Sequence, residues 1–326
     1  MSVIGGGSWA TALVKIFSES GVNVKWFLRS PESVAHIKKE GRNPNYLTFL
    51  PLQTEKVMPT ADIDEAVDYC GHLLFAVPSA YLEPTVADIA RELMVDKNVL
   101  LSVKGMVPGT GMIPSAFLGK TFDIPHQRQF ILGGPCHAEE VALERKTFMT
   151  IAGEDAAAVG RLAASVQLDY IKAVPNGDPV GVELTAIIKN IIGIACGIAR
   201  GLNYGDNFQA VLVANALQEI QAFLQAMDGK TRDLNTSGYF GDLLVTAYSE
   251  FSRNRTFGQM IGRGFTVDLA QTEMKMVAEG YYAVEGIYHM ARSLNQEMPI
   301  VAMVYRILYN KISPYVEFKL LEQVLI

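Results

Sequence analysis

The sequence predicts an α/β domain with a mostly parallel, doubly wound sheet over residues 1–178, followed by an all-α domain over residues 179–326. Short β-branched runs alternate with helical patterns through the first half, as in strand–helix units that build a parallel sheet. The pattern changes at Pro175-Asn-Gly-Asp-Pro179, a turn-rich stretch beyond which helical periodicity dominates. A length of 326 residues also favours two domains over one.

The strands of the first domain are predicted mainly from short apolar runs. Continuous runs, as at 72–77 and 98–103, are expected of strands that are buried on both faces of a sheet. The expected strands cover 2–5, 22–28, 72–77, 98–103, 130–132, 148–152 and 170–174. Helical patterns lie between them at 8–20, 79–93 and 154–167.

The second domain shows almost no strand pattern. Its helices are expected at 180–200, 207–228, 239–250, 255–263, 266–273, 280–293, 298–309 and 315–325. In the first of these helices and directly after it, Gly193, Gly197 and Gly201 recur at every fourth residue. Because glycines at that spacing share one helix face and let a neighbour approach closely, we interpret this ridge as a packing surface.

Composition excludes several classes of function. The net charge of −6 offers no basic surface for nucleic acid or an anionic membrane, so an anionic substrate would need a local basic cluster. Three cysteines without a CxxC pair favour a reducing compartment, and the five histidines lack metal-ligand spacing. No signal peptide or uninterrupted transmembrane run is evident. We therefore expect a cytoplasmic protein with no metal, no membrane span and no nucleic-acid partner.

A glycine-rich turn follows the first expected strand and opens the first helix. The segment Gly5-Gly-Gly7-Ser-Trp-Ala10 has the form G-x-G-x-x-A. In a dinucleotide-binding turn, the first glycine makes the bend, the second lets the backbone approach a pyrophosphate, and the small third residue lets the helix pack on the strand. The alternative is a plain tight turn, but the position in an alternating series favours dinucleotide binding.

Arg29 ends the second expected strand, about twenty residues after the glycines, where an acidic side chain would bind the ribose of NAD. Its guanidinium instead suits the 2′-phosphate of NADP. A simple surface arginine is the alternative, and one arginine does not decide between NADP and NAD.

The segment from Glu183 to Gly197 is predicted to be an almost wholly apolar helix with Lys189 and Asn190 in its middle. Burial disfavours the charged form of a lysine, and such lysines often serve as acids or bases. The alternative is a lysine whose stem lies along apolar surface while its ammonium reaches solvent.

Two further strand ends are candidates for ligand contacts, because ligands of doubly wound sheets lie at the carboxyl ends of the strands. Val103-Lys104-Gly105 ends one strand, and Gly133-Gly-Pro-Cys136-His-Ala138 ends the next and opens a helix suited to an anion. Cys136 has no evident activating partner, so we interpret it as a packing or backbone contact. A lone His137 in a loop is more often structural than catalytic.

Two polar features of the second domain allow both a functional and a structural interpretation. Asp242 precedes an apolar helix and could be only an N-cap. Ser252-Arg253-Asn254 places a hydroxyl, a guanidinium and an amide in three residues, which suits a phosphate monoester but also a solvated loop.

Taken together, these segments resemble the bacterial type of the NAD(P)-dependent glycerol-3-phosphate dehydrogenase family over almost the whole chain. The resemblance rests on Gly-Gly-Gly-Ser-Trp at 5–9, Val-Pro-Ser at 77–79, Val-Lys-Gly at 103–105, Gly-Pro-x-x-Ala at 134–138, Ile-Lys-Asn at 188–190, Gly-Asp-Leu at 241–243, Ser-Arg-Asn at 252–254 and Met276-Val277-Ala-Glu279-Gly280. It implies a Rossmann domain, a helical domain, NADP or NAD as cofactor, and a homodimer. The implied reaction is reversible reduction of dihydroxyacetone phosphate to sn-glycerol 3-phosphate, which supplies glycerophospholipid synthesis.

The resemblance also implies roles for individual residues. Lys189 would be the catalytic acid–base, with Lys104 and Asp242 as the other catalytic residues. The implied substrate-binding residues are Lys104, Gly134, Cys136, Lys189, Asn190, Asp242, Ser252, Arg253 and Asn254. The implied cofactor-binding residues are Gly5, Gly7, Ser8, Trp9, Arg29, Lys104, Ala138, Arg253, Val277 and Glu279.

The sequence departs from the family at two places. Thr185-Ala186 stand where the family usually has two glycines, which adds side-chain volume near the site. Cys136-His137 replace the commoner serine or threonine followed by phenylalanine, and a thiol is a poorer hydrogen-bond partner than a hydroxyl.

Two other functions remain open at this point. One is another two-domain dehydrogenase that acts on a hydroxyacid or ketopantoate, for which Ser252-Arg253-Asn254 has less use. The other is an NADP-binding sensor with little turnover, which is disfavoured because Lys189, Lys104 and Asp242 are all retained.

Overall fold

The computed structural model describes residues 1–274 and 278–326, which divide into two compact units. Unit 1 comprises Met1–Val103 and Pro114–Val182, and unit 2 comprises Lys104–Ile113 and Glu183–Ile326. The segment Lys104–Ile113 thus groups with the C-terminal residues, although it directly follows a part of unit 1.

Unit 1 is built on an eight-stranded sheet with the order β3-β2-β1-β4-β5-β6-β7-β8. The order reverses between β1 and β4, so β1 and β4 are the strands at which a doubly wound sheet switches direction. All neighbouring strands are parallel except β6 and β7, which pair antiparallel. The strands are β1 (Ser2–Ile4), β2 (Val24–Phe27), β3 (Val57–Thr60), β4 (His72–Phe75), β5 (Asn98–Leu101), β6 (Gln129–Gly133), β7 (Thr147–Ala152) and β8 (Ile171–Asn176).

The helices that lie along the unit 1 sequence begin and end at recognisable signals. The side chain of Ser30 caps α2 by accepting from the Ser33 N–H, and Gly41 ends α2 in the left-handed conformation with φ of 65°. Asp155 caps α7 in the same way. The helices are α1 (Ser8–Glu19), α2 (Pro31–Glu40), α3 (Ile63–Asp68), α4 (Leu82–Ala87), α5 (Pro114–Phe122), α6 (Ala138–Ala142) and α7 (Ala156–Ala164).

The sequence analysis of unit 1 missed a strand and was wrong about one helix. The strand β3 was not predicted, because Pro59 interrupts its pattern; a proline is tolerated there since β3 is an edge strand. The single helix expected over 79–93 is instead a 3₁₀ turn at Ser79–Tyr81, the helix α4, and a second 3₁₀ turn at Arg91–Met94. Pro84 lies in the first turn of α4, where a helix accepts a proline, so the helix restarts at Leu82.

The core of unit 1 also contains one buried lysine. Lys15 on α1 is 3% exposed, and its ammonium contacts Glu19 at 2.5 Å, Glu144 at 3.0 Å and the Tyr170 hydroxyl at 2.9 Å. These bonds satisfy the buried charge and tie α1 to the segment before β7 and to the start of β8. The group is a structural ion cluster within an apolar core that includes Trp26, Phe17 and Phe130.

The regular elements in the described residues of unit 2 are helices, apart from an isolated β-bridge between Val107 and Met112, so the predicted helical character of the second half is confirmed. Its long first helix α8 (Pro179–Gly201) begins four residues before the unit boundary. It is long and apolar enough to cross a membrane by length and composition, but the whole of its apolar window is buried in the protein, as in a core helix. The other helices are α9 (Asp206–Asp228), α10 (Asp242–Tyr248), α11 (Arg253–Gly262), α12 (Val267–Glu273), α13 (Glu279–Ser293), α14 (Pro299–Leu308) and α15 (Pro314–Leu321).

The predicted helix over 239–250 is divided in the structure. A π-helical turn covers Ser237–Gly241, and α10 starts only at Asp242. The predicted helix over 255–263 begins earlier, at Arg253, because the side chain of Ser252 caps it. With these corrections, the predicted fold class is confirmed.

One helix of unit 2 is capped by a side chain from another helix. Glu219 on α9 accepts hydrogen bonds from the N–H groups of Ile300 at 2.6 Å and Val301 at 3.5 Å, at the start of α14. The local N-cap residue of α14, Met298, contributes no side-chain bond. A buried carboxylate therefore satisfies the first turn of α14.

Candidate active site

The glycine turn of unit 1 has the geometry of a phosphate cradle. Gly5 has φ of 135°, and a Cβ atom there would lie 2.4 Å from the carbonyl oxygen of Ala76, so only glycine fits. A Cβ at Gly7, the N-cap of α1, would have open space around it. No acidic side chain occupies the first turn of α1. The helix therefore presents unsatisfied N–H groups and its positive dipole end to open space, which suits a bound pyrophosphate.

The carbonyl groups of this turn are held by two side chains that the sequence analysis did not identify. Trp26 donates from Nε1 to the carbonyl of Gly5 at 2.6 Å. Asn43 donates from Nδ2 to the carbonyl of Gly6 at 3.1 Å and to the Thr11 hydroxyl at 2.8 Å. Both bonds join residues far apart in sequence, so no local pattern could have predicted them.

The predicted cofactor residues Ser8 and Trp9 begin α1 and are half-buried. The indole Nε1 of Trp9 donates to the hydroxyl of Ser102 at 2.6 Å, just after β5. This bond fixes the orientation of the indole next to the glycine turn.

Arg29 follows β2 and is exposed at the carboxyl edge of the sheet. Its guanidinium carbon lies 5.8 Å from the ring centroid of Tyr81, which is 46% exposed. A guanidinium over an aromatic face is a favourable cation–π contact. The pair offers a charged group and a flat ring close to the glycine turn, and Tyr81 was not predicted as a site residue.

The segment after β6 places Gly134, Cys136 and Ala138 at the start of α6. Gly134 has φ of 96°, and its Cβ position would lie 2.9 Å from the carbonyl of Phe148. The thiol of Cys136 is buried and lies 3.5 Å from the same carbonyl. The expected anion pocket at this helix start has less support, because Glu139 and Glu140 occupy the first turn of α6.

Unit 2 pairs the two predicted catalytic residues of opposite charge. Lys189, in the middle of α8, is 5% exposed, and Asp242, the first residue of α10, is fully buried. The ammonium of Lys189 donates to Oδ1 of Asp242. The bond holds the carboxyl group of Asp242 at a defined place beside the ammonium.

Asn190 positions the segment that carries Lys104. Its Nδ2 donates to the main-chain carbonyl of Lys104 at 2.7 Å. The same segment packs on α13, because a Cβ at Gly286 would lie 2.8 Å from Cε of Met106. Lys104 is therefore attached to the same unit as Lys189, although it ends a strand pattern of unit 1 in sequence.

The predicted phosphate triplet forms the start of α11. The hydroxyl of Ser252 caps the helix by accepting from the N–H of Arg255 at 3.3 Å, and Arg253 is the first helical residue. Asn254 accepts through Oδ1 from the N–H of Gly280 at 2.9 Å, which ties α11 to the start of α13 beside Glu279. Ser252 and Asn254 thus have structural bonds in addition to any contact with a substrate.

Main-chain contacts between α8 and α11 hold this triplet against the Lys189 helix. A Cβ at Gly197 would lie 2.1 Å from the carbonyl of Arg255, and one at Gly258 would lie 2.1 Å from the carbonyl of Ile194. A Cβ at Gly193 would meet Thr246 at 3.0 Å and Asn254 at 3.3 Å. The prediction that the glycine ridge of α8 is a packing surface is confirmed.

Each unit therefore gathers its own set of predicted site residues. Unit 2 brings together Lys104, Lys189, Asn190, Asp242, Ser252, Arg253, Asn254 and Glu279. Unit 1 carries Gly5, Gly7, Ser8, Trp9, Arg29, Gly134, Cys136 and Ala138. Val277, with Met276, lies outside the described residues. Within residues 1–274 and 278–326, no group of three or more His, Cys, Asp or Glu side chains is arranged to hold a metal ion.

Comparison with known proteins finds a matching family model for each half of the chain. A sequence model described as the NAD-dependent glycerol-3-phosphate dehydrogenase N-terminus matches residues 1–159, and one described as the C-terminus of the same enzyme matches residues 178–319. The chain belongs to the NAD-dependent glycerol-3-phosphate dehydrogenase family.

Individual members of the glycerol-3-phosphate dehydrogenase family match over nearly the whole chain. Glycerol-3-phosphate dehydrogenase [NAD(P)+] of Staphylococcus carnosus is 32% identical over 98% of this chain and 97% of its own length. The crystal structure of glycerol-3-phosphate dehydrogenase from Coxiella burnetii superposes with a TM-score of 0.91 at 26% identity and covers 99% of this chain and 98% of its own. The structure of the Plasmodium falciparum enzyme, at 24% identity, has a TM-score of 0.84 over 98% of this chain and 94% of its own and shares the fold.

Proposed function

We propose that this chain catalyses the reversible, NAD(P)H-dependent reduction of dihydroxyacetone phosphate to sn-glycerol 3-phosphate and so supplies glycerophospholipid synthesis. The observation that carries the proposal is the buried pair of Lys189 and Asp242 beside the Ser252-Arg253-Asn254 helix start. The pair can deliver a proton to a ketone oxygen, and the helix start can hold a phosphate. Membership of the family supports the same reaction.

The dinucleotide is assigned to the domain over residues 1–178. The turn at Gly5 and Gly7 and the first residues Ser8 and Trp9 of α1 would cradle its pyrophosphate, because the turn admits only glycine at one position and leaves open space at the other. Arg29, stacked over Tyr81, would meet the 2′-phosphate of NADP or the ribose of NAD. When bound, the reduced nicotinamide supplies the hydride. The further assigned contacts are Lys104, Ala138, Arg253, Val277 and Glu279.

The phosphate of the substrate is assigned to the start of α11, within the domain over residues 179–326. Arg253 offers a planar fork that matches phosphate oxygens, and the first turn of α11 carries no acidic residue. The N–H groups of that turn add a positive dipole end. Gly134, Cys136 and Asn254 are assigned as minor substrate contacts.

Proton transfer is assigned to Lys189. Addition of hydride to the carbonyl carbon leaves a negative charge on the oxygen, which the Lys189 ammonium stabilises and then protonates to give the alcohol. Asp242 fixes the ammonium in place through its Oδ1. Lys104, held through its main chain by Asn190, adds a second positive charge toward the same oxygen.

A comparison of substrates tests the proposal. Oxidation of NADPH and NADH is followed with dihydroxyacetone phosphate, with unphosphorylated dihydroxyacetone and with 2-oxo acids including ketopantoate. Turnover restricted to the phosphate ester supports the proposal. Preference for a 2-oxo acid would identify a hydroxyacid dehydrogenase instead, and tight NADPH binding without turnover of any compound would identify a sensor. The ratio of the two cofactors reports the contribution of Arg29.

We also propose that the enzyme works as a homodimer in the cytoplasm. Support comes from the charged fraction of 19%, which is below the usual quarter or so. A dimer is also supported by exposed apolar side chains on and after α15, at Tyr315, Val316, Leu320 and Val324. Light scattering of the purified protein should give twice the chain mass of 35.7 kDa, and a monomer would overturn this assignment.

A further inference from the structure

Thr185 lies on the face of α8 that carries Lys189, the proposed proton donor. It lies four residues before Lys189, so the two side chains are neighbours on one helix face. Thr185 is fully buried, as is Asp242, while Lys189 is 5% exposed. The side chain of Thr185 is therefore withdrawn from solvent, as is the proposed catalytic pair.

The Thr185 hydroxyl has no hydrogen-bond partner among the described residues. A helical threonine usually bonds the carbonyl four residues earlier. Other helical threonines of this chain do so over 2.8–3.3 Å, namely Thr11, Thr121, Thr246, Thr256 and Thr272. Thr185 does not, and a buried hydroxyl without a partner indicates a bond that is completed by something else.

The contacts between α8 and α10 place Thr185 beyond the start of α10. Lys189 meets Asp242, the first residue of α10, and one turn later the Gly193 position meets Thr246. Thr185 lies one turn before Lys189, where α10 has not yet begun.

A second buried atom beside Lys189 is also without a partner. Oδ1 of Asp242 accepts from the Lys189 ammonium, but Oδ2 has no hydrogen-bond partner among the described residues. An ionised carboxylate can only accept, so the group that completes Oδ2 has to be a donor. A threonine hydroxyl can both accept and donate. A ligand hydroxyl would therefore satisfy both atoms, by donating to Oδ2 and accepting from Thr185.

We propose that Thr185 determines substrate specificity by hydrogen bonding the hydroxyl at the unphosphorylated end of the substrate, which in turn donates to Oδ2 of Asp242. This inference rests on the proposed function, in which Lys189 meets the ketone oxygen and Arg253 meets the phosphate. The terminal hydroxyl is the one polar group of dihydroxyacetone phosphate that those contacts leave without a partner. Thr185 then selects hydroxymethyl ketones over methyl ketones.

The test compares two substrates that differ only in that hydroxyl, dihydroxyacetone phosphate and hydroxyacetone phosphate. Thr185→Val removes the hydroxyl at nearly constant shape, and Thr185→Ser keeps it. We expect Thr185→Val to lower kcat/KM about tenfold or more for dihydroxyacetone phosphate, the loss typical of one hydrogen bond in a closed site, and less than about threefold for hydroxyacetone phosphate. Thr185→Ser should retain the wild-type preference.

Thr121→Val is the matched control, because Thr121 is a helical threonine of α5 whose hydroxyl bonds its own helix. It should leave the preference between the two substrates unchanged. An equal loss with both substrates, or no loss with either, would overturn the role of Thr185 while turnover by the wild type upholds the proposed function. Failure of the wild type to reduce dihydroxyacetone phosphate would overturn both. If Thr185→Val does not fold, Thr185→Ala gives the same comparison.

Discussion

The side-chain amide of Asn190 donates to the main-chain carbonyl of Lys104 over 2.7 Å, across 86 positions of sequence. The bond connects the residue next to Lys189 with the backbone from which the Lys104 side chain extends. The relative position of the two proposed site lysines therefore depends on one buried amide. Removing that amide should disturb catalysis more than it disturbs folding.

Asn190→Ala should lower kcat/KM for dihydroxyacetone phosphate by about tenfold or more, because a small shift of a positioned group is costly in catalysis. Steady-state kinetics and thermal unfolding of the same preparation separate the two effects. Asn215→Ala is the matched control, since Asn215 also bonds main-chain groups of unit 2, at Ile326. Equal losses of activity in the two variants would contradict the positioning role.

Lys189→Met should lower kcat by roughly 10²–10⁴, the usual contribution of general acid–base catalysis. It should also destabilise the protein by roughly 3–5 kcal/mol, because the buried Asp242 loses its ion-pair partner. Adding Asp242→Asn should recover much of the stability and none of the activity. Denaturant unfolding and single-turnover kinetics measure the two quantities.

Lys15→Met provides the comparison for this experiment. Lys15 is as deeply buried as Lys189 and also pairs with carboxylates, but it lies in a structural cluster of unit 1. The variant should lose stability and keep kcat within about threefold of the wild type, since its cluster supplies no proton to a substrate. A loss of kcat near that of Lys189→Met would show that any buried lysine is needed merely for the fold.

The two outer glycines of the turn should respond differently to alanine. Gly5→Ala should destabilise the protein by more than about 2 kcal/mol, because of its positive φ and the contact with Ala76. Gly7→Ala should change stability by no more than about 1 kcal/mol, since its Cβ has open space, yet weaken NADPH binding about tenfold by blocking the pyrophosphate. Denaturant unfolding measures the stability of each variant, and fluorescence titration measures its affinity for NADPH. Unaltered NADPH binding by Gly7→Ala would exclude a pyrophosphate at this turn.

Glu219 should make stability depend on pH near neutrality. Burial raises the pKa of Glu219 from 4.5 to about 7, although the N–H groups of Ile300 and Val301 act in the opposite direction. A raised folded-state pKa means that the folded protein binds more protons than the unfolded chain between these values, so stability falls as pH rises from about 4.5 through 7. The loss is on the order of 3 kcal/mol and is complete above that range.

Glu219→Gln should flatten this dependence, because the amide does not ionise and its oxygen can still accept the shorter bond, from the N–H of Ile300. Urea unfolding at several values between about pH 5 and pH 8 measures the slope. At the alkaline end the variant should be the more stable protein. The same slope in both proteins would show that Glu219 does not titrate in this range.

The alternation of strands and helices and the glycine turn could be predicted because each is a local pattern. The backbone angle of Gly5 requires a glycine. The position of Gly5 directly after the first expected strand already predicted such a turn. Asn43 and Trp26 could not be identified, since they reach the turn from distant segments and neither residue type signals a bond to a carbonyl. The strand β3 was not predicted because it contains a proline. A proline argues against a central strand but is tolerated in an edge strand such as β3.

In unit 2 as well, side-chain contacts between distant segments could not be predicted from local sequence patterns. The burial of Lys189 follows from its apolar helix, but its bond to Asp242 joins positions 53 residues apart, and only the resemblance assigned both residues to one site. For Ser252, the sequence left open a phosphate site or a solvated loop. The structure shows that its side chain caps α11, which neither alternative stated, and the phosphate contact stays a prediction.

The contact of α8 with α11 has a consequence for how this enzyme can evolve. At Gly197 and Gly258 the neighbouring atoms belong to the main chain, so no change of rotamer can make room for even one methyl group. In a saturation survey of all single substitutions, these two positions should therefore rank with Lys189 in intolerance, although they carry no functional group. Neither position can accumulate neutral substitutions. As the sequence of the helical unit diverges, the contact between the main chains of α8 and α11 has to stay unchanged.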